Sequence, residues 1–250
     1  FAAPQALAQD AAFPTGPVRI VLPFPPGTVN DTITRILAER LSTQWKQPVT
    51  VDNRPGASSM IGTANVAQAK ADGHTLLVNI TLMLQNPALR AKLPYDPKAL
   101  VPVTQINRQQ LPLFVRSDLG IDSVDKLVAH AKANPGKVNF ATWGIGSTAH
   151  IIKEKMEKDK AIRMTHVPYK GGADIVKALL GGEADVAVAD FLSPNPHIQS
   201  GKFKVIAVTG PKRFAALPDT PTLAESGVVG FEGYNWLGLF APAGTPAPVL

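Results

Sequence analysis

Val18-Arg19-Ile20-Val21-Leu22-Pro23-Phe24 is an apolar run that passes directly into Pro25-Pro26-Gly27-Thr28-Val29-Asn30-Asp31. The run has the length and composition of a buried strand, and the prolines and glycine that follow end it. Ile33, Ile36, Leu37, Leu41 and Trp45 then recur at helical spacing, with Asn30 or Asp31 as the expected N-cap. Val49–Val51 reads as a second strand, Asn53–Ser58 as a turn, Met60–Lys70 as a second helix and His74–Asn79 as a third strand. A βαβαβ order of this kind predicts a parallel sheet with right-handed crossovers.

The pattern then restarts. Leu113–Arg116 reads as a strand and Ser123–Ala133 as a helix stopped by Asn134-Pro135-Gly136. Val138–Thr142 reads as a strand leading into Trp143-Gly144-Ile145-Gly146-Ser147-Thr148, before a helix from Ala149 to Lys158. A strand at Met164–Val167, a helix at Ala173–Leu180 and strands at Asp185–Ala189, Val205–Thr209 and Asn235–Phe240 complete the reading. Two α/β units in tandem fit either two lobes or one continuous sheet. In the two-lobed form, residues 12–105 with 235–250 make one lobe and 106–234 the other. Gln105–Leu113 and Tyr234–Phe240 are then paired hinge strands.

The chain has 250 residues, 45% of them hydrophobic and 18% charged, so each unit has material for a core. No uninterrupted apolar run approaches the roughly 20 residues that span a bilayer. A formal charge of +6 suits an anionic ligand or surface. The densest basic group, Lys153, Lys155, Lys158 and Lys160, is interleaved with Glu154, Glu157 and Asp159 and reads as a solvated helix face, not a nucleic-acid stripe. There is no cysteine, which excludes disulfides, thiolate metal sites and a Cys nucleophile. Phe1–Leu7 reads as the tail of an apolar leader and Ala6-Leu7-Ala8 as a cleavage site, so residues 1–11 are expected to be a leader remnant, cleaved near Ala8.

In open α/β sheets ligands sit beyond the carboxyl ends of the strands, where helix N-termini point outward. Pro25-Pro26-Gly27-Thr28 occupies such a place: prolines stiffen it, Gly27 permits a tight turn, and the amides and Thr28 hydroxyl suit an anion. Asp31 reads as a helix cap, since a carboxylate repels an anion. Gly144-Ile145-Gly146-Ser147-Thr148-Ala149 matches G-x-G-x-x-[GA], but the acidic residue of a dinucleotide site is missing from Thr165–Lys170. A smaller anion held by glycine amides and the Ser147 and Thr148 hydroxyls fits better. Tyr169 and Lys170 either line a site or cover a turn, and Asp190 either takes a ligand's ammonium group or caps local backbone. Ser147 and His150 stand three apart without a G-x-S-x-G elbow or an orienting acid, which gives a hydrolase little support and makes His150 a packed or capping residue. No histidine pair has metal-ligand spacing.

The chain resembles the substrate-binding proteins of tripartite tricarboxylate transporters, the Bug-type family. The resemblance is carried by Val18–Gly27 and Asp31, Val51-Asp52-Asn53-Arg54-Pro55-Gly56-Ala57, Ala71-Asp72-Gly73-His74-Thr75-Leu76-Leu77 and Leu93-Pro94-Tyr95-Asp96-Pro97. It continues through Ala133–Lys137, Gly144–Ser147, His166-Val167-Pro168-Tyr169-Lys170-Gly171-Gly172, Pro218–Thr222 and Trp236–Pro242, in order and over almost the whole chain.

The resemblance implies a periplasmic two-lobed (Venus flytrap, type II-like) α/β binding protein, not an enzyme, closing by a hinge on a small carboxylate: a dicarboxylate, tricarboxylate, acidic amino acid or aromatic acid. It implies membrane transporter subunits as partners of a monomer, with no cofactor, metal or nucleic acid. Carried over by position, it assigns the ligand to Pro26, Gly27, Thr28, Asp31, Ile80 and Thr81 of one lobe, and to Gly144, Gly146, Ser147, Thr148, Tyr169 and Asp190 of the other. The family usually has glycine where Thr28 stands, so Thr28 either narrows the site or adds a hydrogen bond. Family members continue about 45–50 residues beyond the position of Leu250. The rival readings are a hydrolase and the effector module of a regulator.

Overall fold

The computed structural model describes residues 13–231 and 233–250, and the expected leader with its cleavage site lies outside them. The first sheet runs β2-β1-β3-β10-β4, from β1 (Val18–Leu22), β2 (Val49–Asn53), β3 (Thr75–Ile80), β4 (Leu100–Gln109) and β10 (Asn235–Pro242). The second runs β7-β6-β8-β5-β9, from β5 (Pro112–Arg116), β6 (Asn139–Thr142), β7 (Thr165–Pro168), β8 (Val186–Val188) and β9 (Phe203–Val208). The chain therefore forms two lobes and not one continuous sheet.

The central strands of both sheets are apolar on both faces, as strands covered by helices on either side must be. In the first, Val18, Ile20 and Leu22 pack towards α1 (Val29–Trp45), while Val21 and Leu77 pack with Val66 of α2 (Met60–Ala67) and Met83 of α3 (Leu82–Leu89). In the second, Val115, Phe140 and Val186 pack with Leu127 of α4 (Val124–Ala133) and Ile152 and Met156 of α5 (Thr148–Lys160). On its other face, Phe114 and Ala141 meet Ile175 and Leu179 of α6 (Gly172–Gly181). A short helix, α7 (Asn195–Gln199), precedes β9.

The expected parallel pairing holds for β2-β1-β3 and for β7-β6-β8. β10 is antiparallel to both β3 and β4, and β5 is antiparallel to both β8 and β9. These exceptions are the strands adjoining the crossings between lobes: the chain leaves the first sheet after Gln109, enters the second at Pro112, and returns at Asn235. Asn107–Gln109, grouped by sequence with the second lobe, pair with β10 in the first sheet.

Several local expectations change. The N-cap of α1 is Thr28, not Asn30 or Asp31: Thr28 is the last extended residue, and its hydroxyl accepts the Asp31 amide at 3.3 Å. Ile36, placed in the apolar stripe, is exposed. Lys153 is not on a solvated face; it is only 5% exposed, and its ammonium is held by Glu154 at 3.0 Å and Glu157 at 2.9 Å.

Candidate ligand site between the lobes

β1 and β7 both end at the same cleft, and the loop after each leads into a helix whose first turn faces the other lobe. Phe24–Asn30 from the first lobe and Lys170–Asp174 from the second line a cavity of about 220 Å³. Ile80, Gln109 and Asn235 extend the first wall, and Trp143, Asp190 and Ser193 the second. Trp143 also packs against the apolar cores of both lobes, which ties the cavity to the interface.

The first loop is held from behind. Gly27 has φ 79°, a left-handed conformation that glycine adopts without strain, and its amide donates to Asp31 Oδ2 at 2.9 Å. The same oxygen accepts Arg35 Nε at 3.0 Å, while Asp31 Oδ1 accepts Asn53 Nδ2 at 2.9 Å. Burial opposes ionisation of Asp31, but Arg35, the Gly27 amide and Asn53 outweigh it and hold the carboxyl below its ordinary range. Asp31 is buried and does not line the cavity; it shapes the loop that does.

Two helices begin at the cavity wall. Thr28 caps only Asp31 of α1, so among the described residues the Val29 and Asn30 amides have no partner in the chain. Gly171 caps α6 without a side chain, and the Gly172, Ala173 and Asp174 amides are likewise unpartnered. Such groups, with the positive ends of two helix dipoles, favour negative charge between them. Lys170 adds a cation to the wall, and Asp174 and Asp190 add carboxylates. Asp190 is engaged locally, accepting the Ser193 amide at 2.7 Å and the Ser193 hydroxyl at 3.0 Å.

Of the sequence-derived candidates, Pro26, Gly27, Thr28, Ile80 and Asp190 line the cavity. Thr81 and Thr148 lie beside it in a chain of hydrogen bonds between the lobes: Thr148 Oγ1 to Thr81 Oγ1 at 3.3 Å, then Thr81 Oγ1 to Asn235 Oδ1 at 2.6 Å. Gln85 Nε2 donates to Thr148 Oγ1 at 3.2 Å. Gly144, Gly146 and Ser147 fold into their own turn. The buried Ser147 hydroxyl donates to the Gly144 carbonyl at 2.8 Å and accepts the His150 amide at 3.2 Å. Tyr169 packs against the second-lobe core. Sequence reasoning did not assign Trp143, Gln109, Ser193 or Asn235 to the site; Trp143 and Ser193 lie in loops it placed at the strand ends, whereas nothing local marks Gln109 or Asn235.

The Ser147–His150 hydrolase geometry is not formed, because His150 Nδ1 accepts the Gly146 amide at 3.1 Å. Instead the fold stacks His150 on His166, two residues that looked unrelated in sequence. Burial pushes both imidazoles below their ordinary range, His166 to about 4, with the neighbouring His150 and Lys153 acting in the same direction on His166.

Residues 33–250 match the tripartite tricarboxylate transporter family receptor. The chain belongs to this family. The solved structure of periplasmic binding protein BugD is 34% identical, covering 95% of this chain and 80% of BugD, with a TM-score of 0.85. An R. palustris protein solved with adipate is 33% identical, with the same coverage and a TM-score of 0.88. MatC from Rhodopseudomonas palustris, solved with bound malate, is 29% identical over 95% of this chain and 81% of MatC, with a TM-score of 0.86. The family role is that of a transporter receptor, a binding protein and not an enzyme, and the two-lobed architecture matches periplasmic binding proteins.

Proposed function

We propose that this protein captures a small dicarboxylate in the periplasm, closes its lobes around it, and delivers it to the membrane subunits of a tripartite tricarboxylate transporter. The observation that carries the reading is the convergence of two helix starts, one from each lobe, on a single cavity of about 220 Å³. A carboxylate taken from water costs several kcal/mol unless its oxygens are satisfied. A ligand with one carboxylate at each helix start recovers that cost only when both lobes are in place, and this differential affinity drives closure. The adipate and malate bound by relatives are acids of this type.

The moving bodies are the two sheets with their helices, hinged at the Gln109–Pro112 crossing and at the return before Asn235. The Phe1–Leu7 stretch and the small-x-small Ala6-Leu7-Ala8 support export with cleavage near Ala8. N-terminal sequencing of the full precursor after expression checks that site.

The test of capture is titration calorimetry with malate, succinate, glutarate and adipate, with small-angle scattering on the same samples. Saturable binding and a smaller radius of gyration are expected with at least one acid. At about a hundred times its dissociation constant, such an acid stabilises the protein by roughly 2.7 kcal/mol. No heat and no thermal shift with any of them would overturn the proposal.

A further inference from the structure

The side chain of Thr28, in the cavity wall, divides its two ends between different tasks. Its hydroxyl is spent within its own loop, donating to the Pro25 carbonyl at 3.1 Å and accepting the Asp31 amide at 3.3 Å. These two bonds fix the rotamer and leave the methyl as the free end. That methyl reaches the other lobe: a Cβ built on Gly171 would lie 3.4 Å from Thr28 Cγ2 and would meet no other atom within 4 Å apart from its chain neighbours. Gly171 is the residue from which α6 starts, and both residues line the cavity. The Thr28 methyl is thus the group that faces the empty side-chain position of Gly171, and no hydrogen bond joins the two turns among the described residues.

We propose that the Thr28 methyl, seated against Gly171, is the specificity element of the site: it occupies space between the two helix starts and sets the upper chain length of the dicarboxylate. This rests on the dicarboxylate reading above. The hydroxyl is engaged in the cap, so Thr28 acts on the ligand by volume. A single methyl in a closed pocket is enough to matter, since one methylene in a well-fitted site changes discrimination about tenfold or more.

Two near-isosteric changes separate the halves of the side chain. Thr28→Ser keeps the capping hydroxyl and deletes the methyl, whereas Thr28→Val keeps the methyl and deletes the cap. Dissociation constants for succinate, glutarate and adipate are measured by calorimetry on the unaltered protein and both variants. Thr28→Ser is expected to improve adipate relative to succinate by about tenfold. Thr28→Val is expected to keep the parent ratio while melting at a lower temperature. A ratio unchanged in Thr28→Ser overturns the proposal, and so does an equal change in both variants, which would assign the effect to the cap. If the unaltered protein binds neither these acids nor malate, the dicarboxylate reading falls and this inference falls with it; if it binds malate alone, Thr28→Ser must extend binding to a longer acid, or this inference falls by itself.

Discussion

The imidazoles of His150 and His166 stack with ring centroids 4.0 Å apart and planes 20° from parallel. Glu154, Lys153 and Glu157 from α5 supply the charges around them, and Thr142 Oγ1 meets His166 Nε2 at 2.7 Å. Because both folded pKa values lie below the ordinary 6.5, the unfolded chain binds more protons than the folded one as acidity rises. The stability is complete above about pH 6.5 and is lost progressively towards the His166 value of about 4. Urea unfolding at about pH 7 and about pH 5 is expected to show a lower midpoint in acid. His166→Gln is expected to flatten that dependence, and an equal slope in both proteins would rule out His166 as its source.

Asp31 acts in a different pH window. Its carboxyl is held below the ordinary 3.8, so its contribution is present above that value and disappears only as the pH falls through the folded pKa. Replacing it with Ala removes three hydrogen bonds to a buried charge and frees the Gly27 amide. We expect Asp31→Ala to cost about 2–3 kcal/mol at neutral pH and to weaken ligand binding through the loosened loop. Chemical denaturation at pH 7 and titration calorimetry check the two effects separately. A variant with unchanged stability would mean that the loop is held by its prolines alone.

How much of this was visible beforehand depended on whether the signal was local. Val18–Gly27 announced a strand and its stop because apolar composition and Pro-Pro-Gly act within a few residues. β4 was half legible: its Gln105–Gln109 end falls in the expected hinge strand, but Leu100–Thr104 gave no signal, because it is an exposed edge paired only with β10, where Pro102 and polar Thr104 are tolerated. α3 lacks a capping side chain at Thr81 and contains Pro87, so neither start nor interior reads as helix. The sequence did suggest that Gln105–Leu113 pairs with Tyr234–Phe240, and β4 and β10 pair there, but nothing local shows that Gln109 and Asn235 are the residues of that pair that reach the cavity wall. The Gly144–Thr148 loop has the composition of an anion site, yet its Ser147 hydroxyl and Gly146 amide bond within the loop and its helix. Composition identified the donors but not whom they serve.

Thr148 is the second-lobe end of the hydrogen-bond chain to Thr81 and Gln85. Thr148→Val keeps its shape while leaving Gln85 Nε2 without its partner in the closed form; in an open form water takes that place. The loss of about 1 kcal/mol therefore falls on closure. The expected result is ligand binding weakened about fivefold, with the melting temperature of the ligand-free protein nearly unchanged. Equal losses in both measurements would place the role of Thr148 in the packing of its own lobe.

Gly146 offers a second test of closure, because one added carbon brings two separable costs. Its φ of 81° disfavours any side chain, and this strain of about 1 kcal/mol is present whether the lobes are open or shut. A Cβ there would also lie 2.5 Å from Leu89 Cδ1 of the opposite lobe, the end of a half-exposed side chain that can turn aside, so this second cost is small and is felt only while the two lobes are together. Gly146→Ala is therefore expected to lower the melting temperature of the ligand-free protein by a few degrees and to weaken ligand binding only slightly. Leu89→Ala removes the obstructing methyl, so in that background Gly146→Ala should recover its affinity while keeping its lower melting temperature. If the second substitution restores neither, the Gly146 effect lies in the backbone alone, and the contact with Leu89 is not part of how the lobes meet.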